Sequence, residues 1–385
     1  MTLPRIDVRQ RRARLGTRHL LSPSTHVDAV EEVADALVAV HATDPATVFL
    51  SLATRLRTPG HEPVERALYD DVTLHRLLAM RRTMFVVPAD LAPLVYGSTG
   101  VTIAARERAK LLTYLADGVG WDVRRLVDVQ QAVLDALRTR GEATAVQLGQ
   151  DVPALCEQVV VAPGKSYETK QNVSSRIIRI LACDGLIRRA RPRGSWISSQ
   201  FRWTTATPWP DLPLADTQAE LARRWLASYG PATAADLKWW TGWSLTATRK
   251  ALEGMDEVEL DEGTGYVVPG DTGPVAEPEP WVALLPGLDS TTMGWRDRDW
   301  YLSPAHVPRL FDTMGNAGPT VWCDGRVVGA WAQRADGEIV WNLLDDVGAD
   351  AEALIAREAA TLAGWLGTVR VQPRFRAPLE RELSR

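Results

Sequence analysis

The phrase Gly141-Glu142-Ala143-Thr144-Ala145-Val146-Gln147-Leu148 returns 89 residues later as Gly230-Pro231-Ala232-Thr233-Ala234-Ala235-Asp236-Leu237. Each copy follows an amphipathic run with helical spacing, residues 126–137 and 221–226. Each precedes a second helical run that gives way to the alternating residues of a short hairpin. The glycine predicts the end of one helix, in a conformation that other residues resist, and the threonine predicts the N-cap of the next. Helix, turn, helix, helix and hairpin is the order of a winged helix, a variant of the helix-turn-helix. Two copies in matching context predict tandem modules.

The same template fits the upstream sequence in a more diverged form. Residues 27–40, 44–56 and 64–80 read as helices ahead of a strand at 83–87, which Pro88 stops, and a connecting helix follows at 104–121. The second unit carries a long insert, 151–167, before a recognition-helix candidate at 172–183 and a wing at 186–203. After a Pro, Gly and acid-rich linker at 269–280, strands at 320–323, 327–333 and 338–343 are turned by Asp324-Gly325 and Asp336-Gly337. A helix at 351–366 and a strand at 369–372 complete the pattern. The expected class is therefore α+β. Three tandem winged-helix modules (1–121 with the connecting helix, 122–210 and 211–270) precede a β-rich α/β domain at 280–385.

With 385 residues, 45% of them hydrophobic, the chain can bury the cores of two to four domains. No apolar run is long enough to span a bilayer, and Arg5, Arg9, Arg11, Arg12, Arg14 and Arg18 interrupt the place where a secretory signal is apolar. The expectation is a cytoplasmic protein without membrane partners. Cys156, Cys183 and Cys323 are widely spaced and form no Cys-x-x-Cys pair, which argues against a disulfide framework or a zinc site. No metal and no organic cofactor are expected.

A net charge of −4 conceals a strong asymmetry. Between residues 165 and 193 eight basic residues face two acids, a balance of +6. Between 211 and 279 thirteen acids face five bases, a balance of −8. The acidic run reads as a solvated face. The basic run falls on the recognition-helix candidate and wing of the second unit, the parts of a winged helix that approach a phosphate backbone or a groove. Lys170, Asn172, Arg176, Arg179, Arg188, Arg189, Arg191 and Arg193 are accordingly the candidates for contact with duplex DNA. Fifteen tryptophans against five phenylalanines invite a base-stacking reading, but most recur at helical or strand positions where burial is the default. Trp196 and Trp203, on the basic wing, remain open as base contacts.

Four segments carry a resemblance to a known family: residues 40–55 (Val-His-Ala-Thr-Asp-Pro-Ala-Thr-Val-Phe-Leu-Ser-Leu-Ala-Thr-Arg), 80–86, 285–298 with Leu-Pro-Gly-Leu-Asp and Gly-Trp-Arg-Asp-Arg, and 324–331. In content and order they resemble the AlkZ/YcaQ-type winged-helix DNA glycosylases of bacteria. The resemblance spans nearly the whole chain and implies three winged helices and a β-rich domain in a C-shape around DNA. It also implies hydrolysis of the bond between sugar and an alkylated or bulky modified base, by a monomer, with the protein nucleoid-associated when bound to DNA. Arg82, with Arg81 and Thr83, matches a segment that lies near the DNA-facing cleft in the family.

The chain departs from the family where the chemistry is done. The family's catalytic pair is Gln-apolar-Gln or Gln-apolar-Asp, and the matching positions here are His41-Ala42-Thr43; Phe85 stands where many relatives have histidine. Hydrolysis of an N-glycosidic bond passes through an oxocarbenium-like sugar, so the site needs a holder for water and negative charge nearby. His41 as base or water-holder, Thr43 as a second water contact and Asp44 as the charge form one reading. The other is structural: Asp44-Pro45 is a strong helix start, Thr43 belongs to the same cap, and His41 ends the preceding helix. A non-catalytic winged-helix DNA-binding protein, a damage sensor or regulator, would also keep the basic unit and lose the glutamines.

Overall fold

The computed structural model describes residues 3–161, 164–166 and 168–385. Ala162, Pro163 and Tyr167 of the insert lie outside the described residues. Helix α1 (Val8–Arg18), capped by Asp7, leads through α2 (Val30–Ala36) and β1 (Val40–His41) to α3 (Pro45–Ala53). Asp44 caps α3, its Oδ1 accepting the Ala46 N–H at 3.1 Å, and Pro45 takes the first helical position, where a missing N–H costs nothing.

The segment expected as a third helix divides. Helix α4 (Glu62–Glu65) continues as one π turn to Asp70, and the chain then enters a hairpin, β2 (Leu74–Ala79) and β3 (Thr83–Pro88). Strand β3 lies between β1 and β2 in an antiparallel sheet, so residues 74–79 gain a ladder of six register pairs with β3. That pairing overrides the helical spacing of Leu74, Leu77 and Leu78. The helix expected at 27–40 is shortened for the same reason, since Val40 and His41 pair with Val86 and Phe85.

Helix α5 (Ala92–Val95) and the long α6 (Val101–Val119) follow. Next come α7 (Val123–Arg140), α8 (Ala145–Asp151), α9 (Ser174–Cys183) and a hairpin of β6 (Ile187–Ala190) with β7 (Arg202–Thr205). The insert before α9 supplies a second hairpin, β4 (Gln158–Val161) with β5 (Thr169–Asn172). The second copy of the repeat runs α10 (Leu214–Tyr229), β8 (Ala232–Thr233), α11 (Ala234–Thr241), α12 (Leu245–Ala251), β9 (Asp256–Leu260) and β10 (Gly263–Val267).

Both threonines of the repeat close capping boxes, Thr144 with Gln147 and Thr233 with Asp236. The glycines differ. Gly141 has φ +75°, as its helix-ending role predicts, whereas Gly230 is extended at φ −71°. Glycine is needed there for space, because a Cβ would stand 2.4 Å from the Leu226 carbonyl oxygen.

The last segment is a four-stranded antiparallel sheet in sequential order, β11 (Val282–Leu285), β12 (Thr320–Cys323), β13 (Arg326–Gln333) and β14 (Ile339–Leu343). A short α13 (Val307–Leu310) lies within it in sequence, and α14 (Ala349–Leu366) and α15 (Pro378–Leu383) close the chain. Residues 369–372 form no strand, because the Val371 N–H is taken by the Gln333 side chain rather than by a backbone ladder.

Three large cores result. Residues from α6 through β6 make one of their own. The N-terminal helices share a second with the C-terminal sheet and α14. The β2–β3 hairpin, the second repeat and the C-terminal sheet share the third, where Trp225, Trp240, Trp295 and Trp322 are buried. The acidic face is not simply solvated. Arg5 pairs with Glu259 at 3.1 Å and Asp261 at 2.7 Å, Arg14 with Asp271 at 2.7 Å, and the buried Arg11 with Glu262. Among the described residues, no helix is long and apolar enough to cross a membrane.

Candidate nucleic-acid cleft and catalytic triplet

A cleft of about 610 Å³ separates the β2–β3 hairpin from α9 and the β6–β7 hairpin. Its wall carries Arg76, Arg81, Arg82, Arg179, Arg188 and Arg189 over an aliphatic floor that includes Leu77, Ile178 and Ile187. No aspartate or glutamate lines it among the described residues. The cleft is therefore a concentrated positive field with low-dielectric walls, an arrangement that attracts polyanions. Thr43 opens into it from the strand side and Trp203 from the other.

Of the basic candidates, Arg82, Arg179, Arg188 and Arg189 are brought together here. The remainder are not. Lys170 and Asn172 sit exposed on β5, where the Asn172 Oδ1 accepts from Gln158 Nε2 at 3.1 Å. Arg176 stacks on Tyr114, 3.9 Å from the ring centre, and Arg193 is exposed on the connection beyond β6. Arg191 is used inside the protein, paired with Glu65 and Asp70 at 2.8 Å each. Trp196 is corrected outright: it is 4% exposed and packs on Phe49, His61 and Trp365, with no face left for a base.

Arg76 escaped the sequence reading because its segment read as helix. In the sequence only the matching segment marks Arg81; in the fold, Arg81 and Arg82 both lie in the left-handed region, at φ 52° and 61°. Non-glycine residues held there store strain and cluster at functional sites. Packing enforces it. The Arg81 guanidinium stacks 3.9 Å from the Trp239 ring centre, and Gly242, left-handed at φ +77°, packs against the Arg81 backbone at ordinary contact distance. Burial, then the nearby Arg298, lowers the Arg81 pKa to about 10. Arg298 itself stacks on Trp239 and Phe311, and Arg296 pairs with Asp297 at 3.3 Å.

The triplet His41-Ala42-Thr43 runs beside β3, with the Ala42 N–H donating to the Met84 carbonyl at 2.8 Å. His41 pairs in register with Phe85, ring edge to ring at 5.1 Å, so the two departures from the family pattern are cross-strand neighbours. The imidazole is 6% exposed and its Nδ1 has no partner among the described residues. Burial, reinforced by Arg81, pushes its pKa down to about 3. A neutral ring is a weak base, and the unpartnered Nδ1 is shut off from solvent. Its backbone is fixed from below: Ser290 Oγ accepts the His41 N–H at 3.2 Å and donates to the Ala39 carbonyl at 2.8 Å.

Asp44 has both carboxylate oxygens occupied, Oδ1 by the cap and Oδ2 by the Arg374 N–H at 2.9 Å. Among the described residues, no group of three or more His, Cys, Asp or Glu side chains is arranged to hold a metal ion.

Residues 34–365 match the family described as DNA glycosylase AlkZ-like. The fold resembles that of the Streptomyces sahachiroi DNA glycosylase AlkZ, with a TM-score of 0.71 and 22% identity over 96% of this chain and 99% of that one. No curated protein matches the sequence significantly.

Proposed function

Because this chain belongs to the AlkZ-like DNA glycosylase family, we propose that it acts on duplex DNA in the arginine-lined cleft, releasing alkylated or bulky modified bases by hydrolysis at His41-Ala42-Thr43. DNA glycosylase chemistry in DNA repair is what membership assigns; the substrate class and the residues are our reading. One observation carries it: among the described residues, six arginines and no carboxylate line a cleft that reaches Thr43, the last residue of the triplet. On the same reading the protein acts as a monomer, with three winged-helix units (1–121, 122–210, 211–270) and a β-rich domain (280–385) in a C-shape around the duplex. The paired capping boxes and the recurring order of helices and hairpin support that arrangement.

The chemistry suits a weak base. A purine alkylated at a ring nitrogen such as N3 or N7 carries positive charge and leaves neutral when the bond from C1′ to nitrogen breaks, so that leaving group needs no acid. Water that adds to the resulting oxocarbenium becomes strongly acidic and gives its proton to bulk solvent or to the departed neutral base, so a neutral His41 with Thr43 has only to place it. Phosphates of the bound DNA supply the negative charge that the cleft lacks. Asp44, with both oxygens engaged, serves as the helix cap.

The low pKa of His41 and the loss of both glutamines favour a second reading, a protein that binds damaged DNA without cleaving it. Incubation with alkylated duplex separates the two. Abasic sites that break in hot alkali support the enzyme; tight binding with intact base pairs across a broad adduct panel supports the sensor.

A further inference from the structure

Charge in and around the cleft is unevenly answered. Arg82 is paired with Glu107 at 2.8 Å, and Arg191 with two acids. Arg76 on β2 and Arg189 on β6 pair with no carboxylate among the described residues. The Nε and Nη2 of Arg76 and the Nε of Arg189 are shut off from solvent and lack a hydrogen-bond partner among the described residues. The Arg189 guanidinium sits over Phe201, 3.7 Å from the ring centre, with the Trp203 ring 5.7 Å away, so it is packed between aromatic rings. Burial first, then Arg76, lowers its pKa to about 9, and Arg374 and Arg179 add to the repulsion.

Unpaired donors in a low-dielectric wall are unfavourable, and two like charges held near one another compound the cost. The arrangement becomes favourable when an oxyanion enters. The planar fork of arginine matches two phosphate oxygens, and two forks from different hairpins can share the non-bridging oxygens of one diester. We propose that Arg76 and Arg189 form a phosphate clasp, filled by one phosphodiester of bound DNA, that fastens the β2–β3 hairpin to the β6–β7 hairpin; the DNA occupant rests on the reading above. The two hairpins are rooted mainly in different cores, although Leu78 of β2 also packs against the core that holds β6, so the anion joins parts that otherwise repel at this point.

The test uses the full chain, inorganic phosphate and a short duplex. Phosphate raises the unfolding temperature of the wild type above that in chloride at equal ionic strength, and Arg76→Met and Arg189→Met each abolish the rise. Without phosphate, Arg76→Met is at least as stable as the wild type, which separates lost binding from lost folding. Each variant reduces the slope of log affinity against log salt by about 0.9, for one phosphate no longer neutralised. Each weakens duplex binding on the order of ten- to a hundredfold, and the double variant loses little more, because both residues serve one ligand. An equal phosphate response in wild type and variants, or an unchanged salt slope, overturns the clasp. A response that both variants abolish, in a protein without affinity for duplex, retains the anion site and overturns its DNA occupant.

Discussion

Arg55 and Asp289, 234 residues apart in the chain, are joined by two hydrogen bonds, Nη2 to Oδ1 at 2.9 Å and Nη1 to Oδ2 at 3.1 Å, with neither side chain exposed. Burial alone would raise the Asp289 pKa, but the Arg55 charge and its hydrogen bonds hold it below the usual carboxylate range. Ser51 Oγ donates to the same carboxylate at 2.6 Å, and Arg55 also reaches the His19 carbonyl at 2.9 Å. The next residue, Ser290, holds the backbone of His41. The pair therefore fixes a C-terminal loop beneath the strand that carries the triplet.

Breaking this pair on one side leaves a buried charge without its partner. Asp289→Ala is expected to cost about 3–5 kcal/mol in denaturant unfolding, while Arg55→Met with Asp289→Leu recovers much of the loss. A cost below about 1 kcal/mol for the single variant would mean that water reaches the site and that the loop is not fixed in this way.

Stability should fall on mild acidification. Burial pushes the pKa of both His19 and His41 down from 6.5 to about 3. Between those values the unfolded chain binds protons that the folded protein refuses, so stability is complete above pH 6.5 and is lost as pH falls toward 3. Each histidine contributes about 1.4 kcal/mol per pH unit well inside that window. Urea titrations between pH 6.5 and 5 measure the slope, and His41→Asn should remove one proton's share. A slope indifferent to that substitution would place a charged imidazole at position 41.

Cleft arginines should separate from the internally paired one. Arg179→Ala with Arg188→Ala is expected to reduce the salt slope of duplex binding by about 1.8, two phosphates' worth. Arg191→Ala, which breaks half-exposed pairs with Glu65 and Asp70, should change stability by about 1 kcal/mol or less and leave the slope nearly unaltered. Fluorescence anisotropy from low to moderate salt decides it; equal effects would return Arg191 to the interface.

For the chemistry, His41→Ala should bind duplex normally and release base roughly 10²–10⁴-fold more slowly in single turnover, with Thr43→Ala less affected. Because His41 stays neutral to about pH 3, wild-type release should show no inflection near pH 6.5. Asp44→Asn keeps a cap acceptor but loses one for the Arg374 N–H, so a modest loss of stability with activity retained is expected. Activity lost at unchanged stability would instead give Asp44 a charge role.

Local signals were legible in the sequence. The caps at Asp44, Thr144 and Thr233, the Gly141 helix end and the Asp324-Gly325 turn each depend on atoms within about four residues, and each was written in residue type alone. Residues 64–80 were not legible, because their spacing suited a helix while the ladder that claimed 74–79 was supplied by β3. The same limit applies to the cleft. Sequence identified a basic stretch, but whether Arg191 faced Glu65 or a phosphate, whether Trp196 lay under Trp365 or under a base, and whether Arg76 lined the same cleft as Arg189 depended on partners more than a hundred residues away. Charge and capping preference belong to the residue and its neighbours in the chain; burial and pairing belong to what folding brings beside it, and in this protein those long-range neighbours decide which arginines are left to meet an anion.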